Sequence, residues 1–150
     1  MWIYSWILLE GLGLCVMSDE RGKIYNRERA KQLIDFSGLK FGTKTPTDID
    51  GFLDFGNRIF VYLEFKYKGN ELPYGQRLAL ERDCDSHLAS GMPCYCIIAT
   101  HEVDDTEKDI DAASSIVSEI RYKRKWYKTK EEMTVREAIE KICERHSWRE

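Results

Sequence analysis

Two segments in which apolar and polar residues alternate are predicted to form neighbouring strands. They carry three acidic residues and a lysine: Asp48, Asp50, Glu64 and Lys66. Between the segments stands a Gly-Asn dipeptide, whose residues accept the positive φ that tight hairpin turns need. With a loop of residues 56–58, one face of the hairpin is entirely apolar, because strand side chains alternate between faces. That face carries Ile49, Gly51, Leu53 and Phe55 against Ile59, Val61, Leu63 and Phe65. On the other face Asp50 lies opposite Glu64, and Asp48 lies opposite Lys66.

Two carboxylates that face each other across a strand pair are a recognisable ligand arrangement. Directly opposed side chains have Cβ atoms about 4.5–5.5 Å apart, and carboxylates at that spacing repel each other. A cation between Asp50 and Glu64 removes the repulsion, and oxygen ligands suit Mg²⁺ or Mn²⁺. A loop one residue longer or shorter would send these two side chains to opposite faces. The apolar pattern therefore favours the register that forms a metal site.

Composition is that of one ordinary globular domain. The chain has 150 residues, of which 43% are apolar and 33% are charged, with both signs mixed. Its net charge of −3 argues against a general basic coat for nucleic acid, although a local basic groove is compatible with it. The five cysteines are an odd number without the spacing of a disulfide framework, so we expect a reduced, cytoplasmic protein.

The first sixteen residues differ from everything that follows, because they are almost entirely apolar. They are too short to span a bilayer comfortably, since about 20 residues are needed, and Glu10 interrupts them. They also lack the basic start of a signal peptide. We expect residues 1–16 to be an appended extension, or alternatively a packed strand, and residues 17–150 to form a single domain without a membrane partner.

The remaining pattern alternates between helices and strands. A helix over residues 27–36, capped by Asn26, precedes the hairpin. A helix over residues 74–90, a buried strand over 94–100 and a further strand over 116–127 follow it. A capping box from Thr134 to Glu137 opens a last helix. This order predicts an α/β fold in which helices flank a small mixed β-sheet.

The spacing of the polar residues resembles the PD-(D/E)XK nuclease superfamily, in particular compact Holliday-junction resolvases and VRR-type nucleases. The resemblance covers about residues 25–100 and consists of Asp50, then Glu64-Phe65-Lys66 on the next strand, then a helix that begins Tyr74-Gly-Gln76. It implies a restriction-endonuclease-like core, with the order α-β-β-α-β. It also implies a Mg²⁺- or Mn²⁺-dependent deoxyribonuclease, an endonuclease of DNA repair, recombination or mobile-element processing. The alternative is a catalytically silent nucleic-acid-binding module on the same fold.

The resemblance assigns metal ligands residue by residue. It implies that Asp50, Glu64 and the backbone carbonyl of Phe65 hold one or two metal ions. The superfamily often has proline directly before the aspartate, whereas here Pro46 stands earlier in the chain. Asp48 is therefore a competing ligand, and its alternative role is a cross-strand ion pair with Lys66.

Three further residues take catalytic roles by the same resemblance. Lys66 would orient or deprotonate the attacking water, or stabilise negative charge on the phosphate. Gln76 resembles a helix glutamine of many members, and Glu28 resembles an acidic residue that contacts the metal through water. The alternatives are an exposed ion pair between Glu64 and Lys66, and a solvated helix residue at Glu28.

Basic residues supply candidate contacts to DNA, the expected partner. The run from Arg121 to Lys128 interleaves aromatic and cationic side chains, a composition that can hold phosphates and stack bases. Its alternative is an edge strand protected by lysines. The candidate nucleic-acid-binding residues are Lys68, Arg77, Lys123, Arg124 and Lys125. Cutting both strands with one site per chain would require a homodimer.

Overall fold

The computed structural model describes residues 26–31, 34–44 and 46–149. The chain divides into two compact units, of which the second begins at Lys40. In the first unit, helix α1 spans Arg27–Ala30, and the side chain of Asn26 caps it by accepting the Arg29 N–H at 3.0 Å. The extension predicted at residues 1–16, with its boundary at residue 17, lies outside the described residues.

The first helix is shorter than its sequence pattern predicts. The helix begins at Arg27 as predicted, but it ends at Ala30 and a 3₁₀ turn follows at Ser37–Leu39, so the predicted extension to residue 36 was wrong. The carboxylate of Asp35 accepts the Ser37 N–H at 2.8 Å. Such local side-chain bonds favour turns over helix, which explains why residues 34–36 are not helical.

The second unit is a mixed α/β fold. Its described residues contain one sheet of five strands in the order β1-β2-β3-β4-β5. The strands are β1 Gly51–Asp54, β2 Phe60–Tyr67, β3 Cys94–His101, β4 Ile116–Tyr122 and β5 Lys125–Lys128. Strands β2 and β3 are parallel, and the other neighbouring pairs are antiparallel. Helix α2, Tyr74–Ala89, connects the parallel pair, and helix α3, Val135–Arg145, follows β5.

The register of the first hairpin is confirmed. Gly51 pairs with Leu63 and Leu53 pairs with Val61, which is the pairing that a loop of residues 56–58 predicts. The Phe55 N–H donates to the Ile59 carbonyl at 3.0 Å and so closes the hairpin. Gly56 has φ +62° and Asn57 has φ +57°, values that few other residue types adopt without strain.

Each face of the sheet packs against one helix. Ile59, Val61 and Leu63 of β2 belong to a core cluster with Val135, Ala138 and Ile142 of α3. The alternate residues Phe60 and Tyr62 belong to a second cluster with Leu80 and Cys84 of α2. The sheet is therefore the middle of three layers. Cys84, Cys94 and Cys96 are buried free thiols in the second cluster, as expected of small apolar side chains.

The segment after β3 contains a hairpin that the sequence pattern did not predict. The structure has two strands where one was predicted over residues 116–127, so that prediction was wrong. Lys123 and Arg124 form the two-residue turn, with φ +46° and φ +67°. Hairpin turns of this kind usually carry Asn or Gly, and neither residue is present to mark this one.

The remaining element boundaries agree with their sequence signals. Helix α2 ends before Gly91, which has φ +81°, as predicted. The capping box of α3 is confirmed, because Thr134 accepts the Glu137 N–H at 3.2 Å and Glu137 accepts the Thr134 N–H at 2.8 Å. In the part of the chain that the structure describes, no helix is long and apolar enough to cross a membrane.

Candidate functional site

Glu64 is the most unusual charged residue of the sheet. It lies on β2 on the face covered by α2, and its exposed fraction is 0%. Its Oε2 accepts a hydrogen bond from Gln76 Nε2 at 2.9 Å and lies 3.3 Å from Lys66 Nζ. Its Oε1 is buried and has no hydrogen-bond partner among the described residues. The two partners therefore occupy one oxygen and leave the other for a further group.

The surroundings of Glu64 make its negative charge costly. Burial raises the pKa of Glu64, and the nearby negative charge of Asp50 raises it further, while Lys66 and, more weakly, the backbone of Asp50 lower it. A buried carboxylate with an unpartnered oxygen is rare, because unpaired buried polar groups are unfavourable. A cation beside Oε1 would relieve both the burial and the repulsion, so the donor set fits a hard metal ion.

Asp50 reaches the same region from the residue before β1. Its Oδ2 accepts the backbone N–H of Phe65 at 2.7 Å. The N–H and C=O of a strand residue point to the same side, so the Phe65 carbonyl also faces the edge on which Asp50 lies. The structure thus places Asp50 beside Glu64 and the Phe65 backbone, and the role of these groups as metal ligands stays a prediction.

Asp48 takes a different part from Asp50. Its backbone carbonyl accepts from Gln76 Nε2 at 3.1 Å, whereas Asp50 uses its carboxylate to accept the Phe65 N–H. Lys66 forms its ion pair with Glu64, the partner two residues away on the same strand. Of the two aspartates, Asp50 is therefore the better candidate for the metal ligand, because its carboxylate faces β2.

Gln76 is the residue that joins the segments of the site. It lies in the first turn of α2, where it contacts the Asp48 carbonyl and Glu64, and its Oε1 accepts from Lys66 Nζ at 3.5 Å. The Lys66 side chain is 19% exposed, so its ammonium group is bound by these partners but still accessible to solvent. The amide of Gln76 therefore orients the carboxylate and the ammonium group at the same time.

A cavity of about 480 Å³ opens beside these residues. Asp48 and Gln76 line it together with two cations that were not among the predicted site residues, Lys44 and Arg82. Arg82 follows Gly75 by seven residues and Leu78 by four, the spacing of one helix face, so its place beside these lining residues could have been predicted. Lys44 lies in a loop and carries no sequence signal for this position.

The predicted site residues outside this group have other surroundings. Glu28 belongs to the first unit, where it pairs with Lys31 at 3.5 Å, and its catalytic role stays a prediction. Lys68 pairs with Asp104 at 2.9 Å. Arg77 pairs with Glu119 at 3.2 Å and lies over the Trp126 ring at 4.4 Å. These bonds offset much of the charge that Lys68 and Arg77 would offer to a phosphate.

The basic turn lies at the other end of the sheet. Lys66 is in register with Thr100 of β3, which pairs with Ile116 at the start of β4. Tyr122, at the other end of β4, is therefore at the opposite end of the sheet from Lys66. Lys123, Arg124 and Lys125 are exposed at that far end, where β2 and β3 begin. They are therefore separated along the sheet from Glu64, and a contact to nucleic acid there would involve a distant part of the ligand.

The fold and these residues define a mixed α/β protein with a buried carboxylate, a lysine and a glutamine where two parallel strands end. Within the described residues, no three His, Cys, Asp or Glu side chains converge as a metal-binding group, so the candidate ligands are two carboxylates and a carbonyl. Comparisons with protein-family models, curated proteins and solved structures found no match. The resemblance to a nuclease superfamily therefore continues to rest on the residues themselves.

Proposed function

We propose that the protein is a metal-dependent nuclease that hydrolyses phosphodiester bonds in DNA. The observation that carries the proposal is Glu64, a fully buried carboxylate between Asp50 and Lys66, one oxygen of which has no hydrogen-bond partner in the described part of the chain. An ordinary exposed ion pair would have both oxygens in contact with water. Burial of a charge is unfavourable unless a partner compensates it, and such sites are often functional.

Asp50, Glu64 and the Phe65 carbonyl would hold Mg²⁺ or Mn²⁺. When bound, such an ion lowers the pKa of a water ligand and stabilises charge on a phosphoryl oxygen. Gln76 and Lys66 both contact Oε2 of Glu64, so Oε1 would be the oxygen free to hold the ion. Lys66, held between Glu64 and Gln76, would position the attacking water or donate to the phosphate.

The cavity beside Gln76 supports a phosphodiester substrate. Lys44 and Arg82 supply positive charge within the same cavity that Asp48 and Gln76 line. Phosphates attract such cations, and the arginine fork can bind two oxygens of one phosphate. The DNA backbone would therefore pass along the first turns of α2, with Lys44 and Arg82 on phosphates that flank the scissile one.

A cleavage assay tests this function. Duplex, single-stranded and branched DNA are incubated with Mg²⁺, with Mn²⁺ and with a chelator, and the products are separated on a gel. We expect metal-dependent cutting of at least one substrate, and a loss of more than about 100-fold in Lys66→Gln, because a positioned charge is removed. Lys130→Gln, which changes an exposed lysine after β5, is the matched control. Wild-type protein that cuts none of the three would contradict the proposal; DNA binding without cutting would favour the silent module.

The raised pKa of Glu64 gives a second test that needs no substrate. In the absence of metal, the folded state holds the Glu64 proton to higher pH than the unfolded state, so its contribution to stability falls as pH rises through the raised pKa. Saturating Mg²⁺ binds the ionised form and should reverse that trend. Thermal melting between pH 4 and 8 measures both curves.

The matched control for this test is Glu64→Gln, because other carboxyls with lowered pKa values contribute equally to both proteins. The difference between the wild-type and Glu64→Gln curves therefore isolates Glu64. Lys66→Gln should move the wild-type transition to higher pH, since Lys66 lowers the pKa of Glu64. A difference curve that does not depend on pH would count against the raised pKa, and one that Mg²⁺ leaves unchanged would count against the metal site.

A further inference from the structure

A second cavity of about 480 Å³ lies between α3 and the outer strands β4 and β5. Its walls include residues of the core cluster that packs on α3, so it is on the opposite face of the sheet from Glu64. Tyr122, at the end of β4 far from Lys66, lines it. The cavity is therefore separate from the candidate nuclease site in both face and position.

The lining of this cavity has two chemically distinct parts. Ile120, Tyr127 and Met133 supply an apolar surface, and the Tyr127 side chain is exposed by 52%. Lys123, Lys141 and Arg145 supply three cations, and none of the described residues that line the cavity carries a carboxylate. In a chain with net charge −3, a concave surface with cations alone is selective for anions. The volume is within the usual range of about 300–1,000 Å³ for small-molecule sites.

The cations are available and held in place by aromatic rings. Among the described residues, neither Lys123 nor Arg145 has a carboxylate within ion-pair distance, and both lie over the Tyr122 ring, at 5.4 Å and 5.0 Å. Tyr122 is itself stacked on Tyr95 at 4.3 Å, which fixes its orientation. Burial and then the charges of Arg145 and Lys123 lower the pKa of the adjacent His146, which is the effect of a local positive potential.

We propose that this cavity binds a nucleotide, with its phosphate between Lys123 and Arg145 and its base against Tyr127, Ile120 and Met133. A nucleotide combines a compact anion with a flat ring, and the two parts of the lining match those two parts of the ligand. Bases stack on exposed aromatic rings without regard to sequence. The nucleotide is either free or part of a single strand, because both sources present the same chemistry.

Calorimetric titration of the full chain tests the site with adenosine 5′-monophosphate, adenosine, inorganic phosphate and an oligodeoxyadenylate of ten residues. We expect the monophosphate to bind at least about 10-fold more tightly than adenosine or phosphate alone, because only it engages both parts of the lining. Arg145→Gln combined with Lys123→Gln should weaken monophosphate binding at least 10-fold, and Tyr127→Ala should weaken it several-fold. Lys108→Gln, an exposed loop lysine, is the control and should have no effect.

The oligonucleotide separates the two sources. Binding of the ten-residue strand that is tighter than monophosphate binding and equally sensitive to the three substitutions identifies a strand site, whereas exclusion of the strand identifies a free nucleotide. Both outcomes support a nucleotide site. Absence of binding by both nucleotide probes, or binding that Arg145→Gln and Tyr127→Ala leave unchanged, overturns it. Glu64→Gln should leave monophosphate binding intact, so failure of the nuclease proposal and failure of this site are distinguishable.

Discussion

Glu64→Gln is expected to lower metal-dependent DNA cleavage by more than about 100-fold while leaving the metal-free protein at least as stable as the wild type. The substitution keeps the shape of the side chain and removes its charge. Loss of groups that only support a metal already costs about 10–100-fold, so loss of a direct ligand should cost more. The cleavage rate at saturating Mg²⁺ and the melting temperature in a chelator are the two measurements.

The stability half of this prediction follows from the burial of Glu64. Its carboxylate is fully buried, its pKa is raised and its Oε1 has no partner among the described residues. A neutral amide at this position avoids the desolvation of a charge. The same substitution should abolish the rise in melting temperature that Mg²⁺ gives the wild-type protein, because the ion would lose a ligand of the folded state.

Two outcomes would contradict this account of Glu64. Cleavage by Glu64→Gln at the wild-type rate would remove Glu64 from the catalytic group. A metal-free melting temperature well below that of the wild type would show that the ionised carboxylate stabilises the fold, as a structural ion pair does. Glu71→Gln, which neutralises an exposed carboxylate in the loop before α2, is the control and should change neither quantity.

Asp50→Asn and Asp48→Asn are expected to differ by at least about 30-fold in cleavage rate, with Asp50→Asn the more damaged. The Asp50 carboxylate faces β2, accepts the Phe65 N–H and raises the pKa of Glu64. Asp48 contributes its backbone carbonyl to Gln76, and Asp48→Asn keeps that carbonyl. We therefore expect Asp50→Asn to lose cleavage about as fully as Glu64→Gln, and Asp48→Asn to lose less than about 3-fold.

The pair serves as its own control, since both substitutions remove one negative charge from the same segment. Metal titration followed by melting gives an independent measurement, in which Asp50→Asn should weaken the Mg²⁺ effect and Asp48→Asn should retain it. The reverse order in both assays would make Asp48 the metal ligand. Equal losses would mean that the site depends on the total charge of the segment rather than on one carboxylate.

The first hairpin shows how much of the fold local sequence patterns can predict. Alternation of apolar residues along residues 49–65 admits one register that keeps a face free of charge, and that register occurs. A single-residue slip would have exposed the whole apolar set, so burial alone fixes the pairing of Gly51 with Leu63. The ends of α2 and α3 are determined in the same local way, by Gly91 and by the capping box at Thr134.

Other features depend on contacts between segments that are distant in sequence. The turn at Lys123 and Arg124 has no local signal, and two strands form there because β4 pairs with both β3 and β5. The guanidinium group of Arg77 is of a type that binds phosphate, but the fold pairs it with Glu119, a residue of β4. Sequence composition cannot show such neutralisation, because it depends on the packing of α2 across the sheet.

The features of the site also fall into those that local sequence determines and those that depend on contacts between distant segments. By itself the sequence determined the register of the first hairpin, which brings Asp50 near Glu64, because strand alternation and a marked turn are local properties. Only the tertiary structure decided that α2 covers Glu64 completely, that Gln76 and Lys66 occupy one of its oxygens, and that Lys44 and Arg82 line the adjacent cavity. The physical reason is that the burial of a charge is set by what packs over it, and the covering helix comes from a different part of the chain.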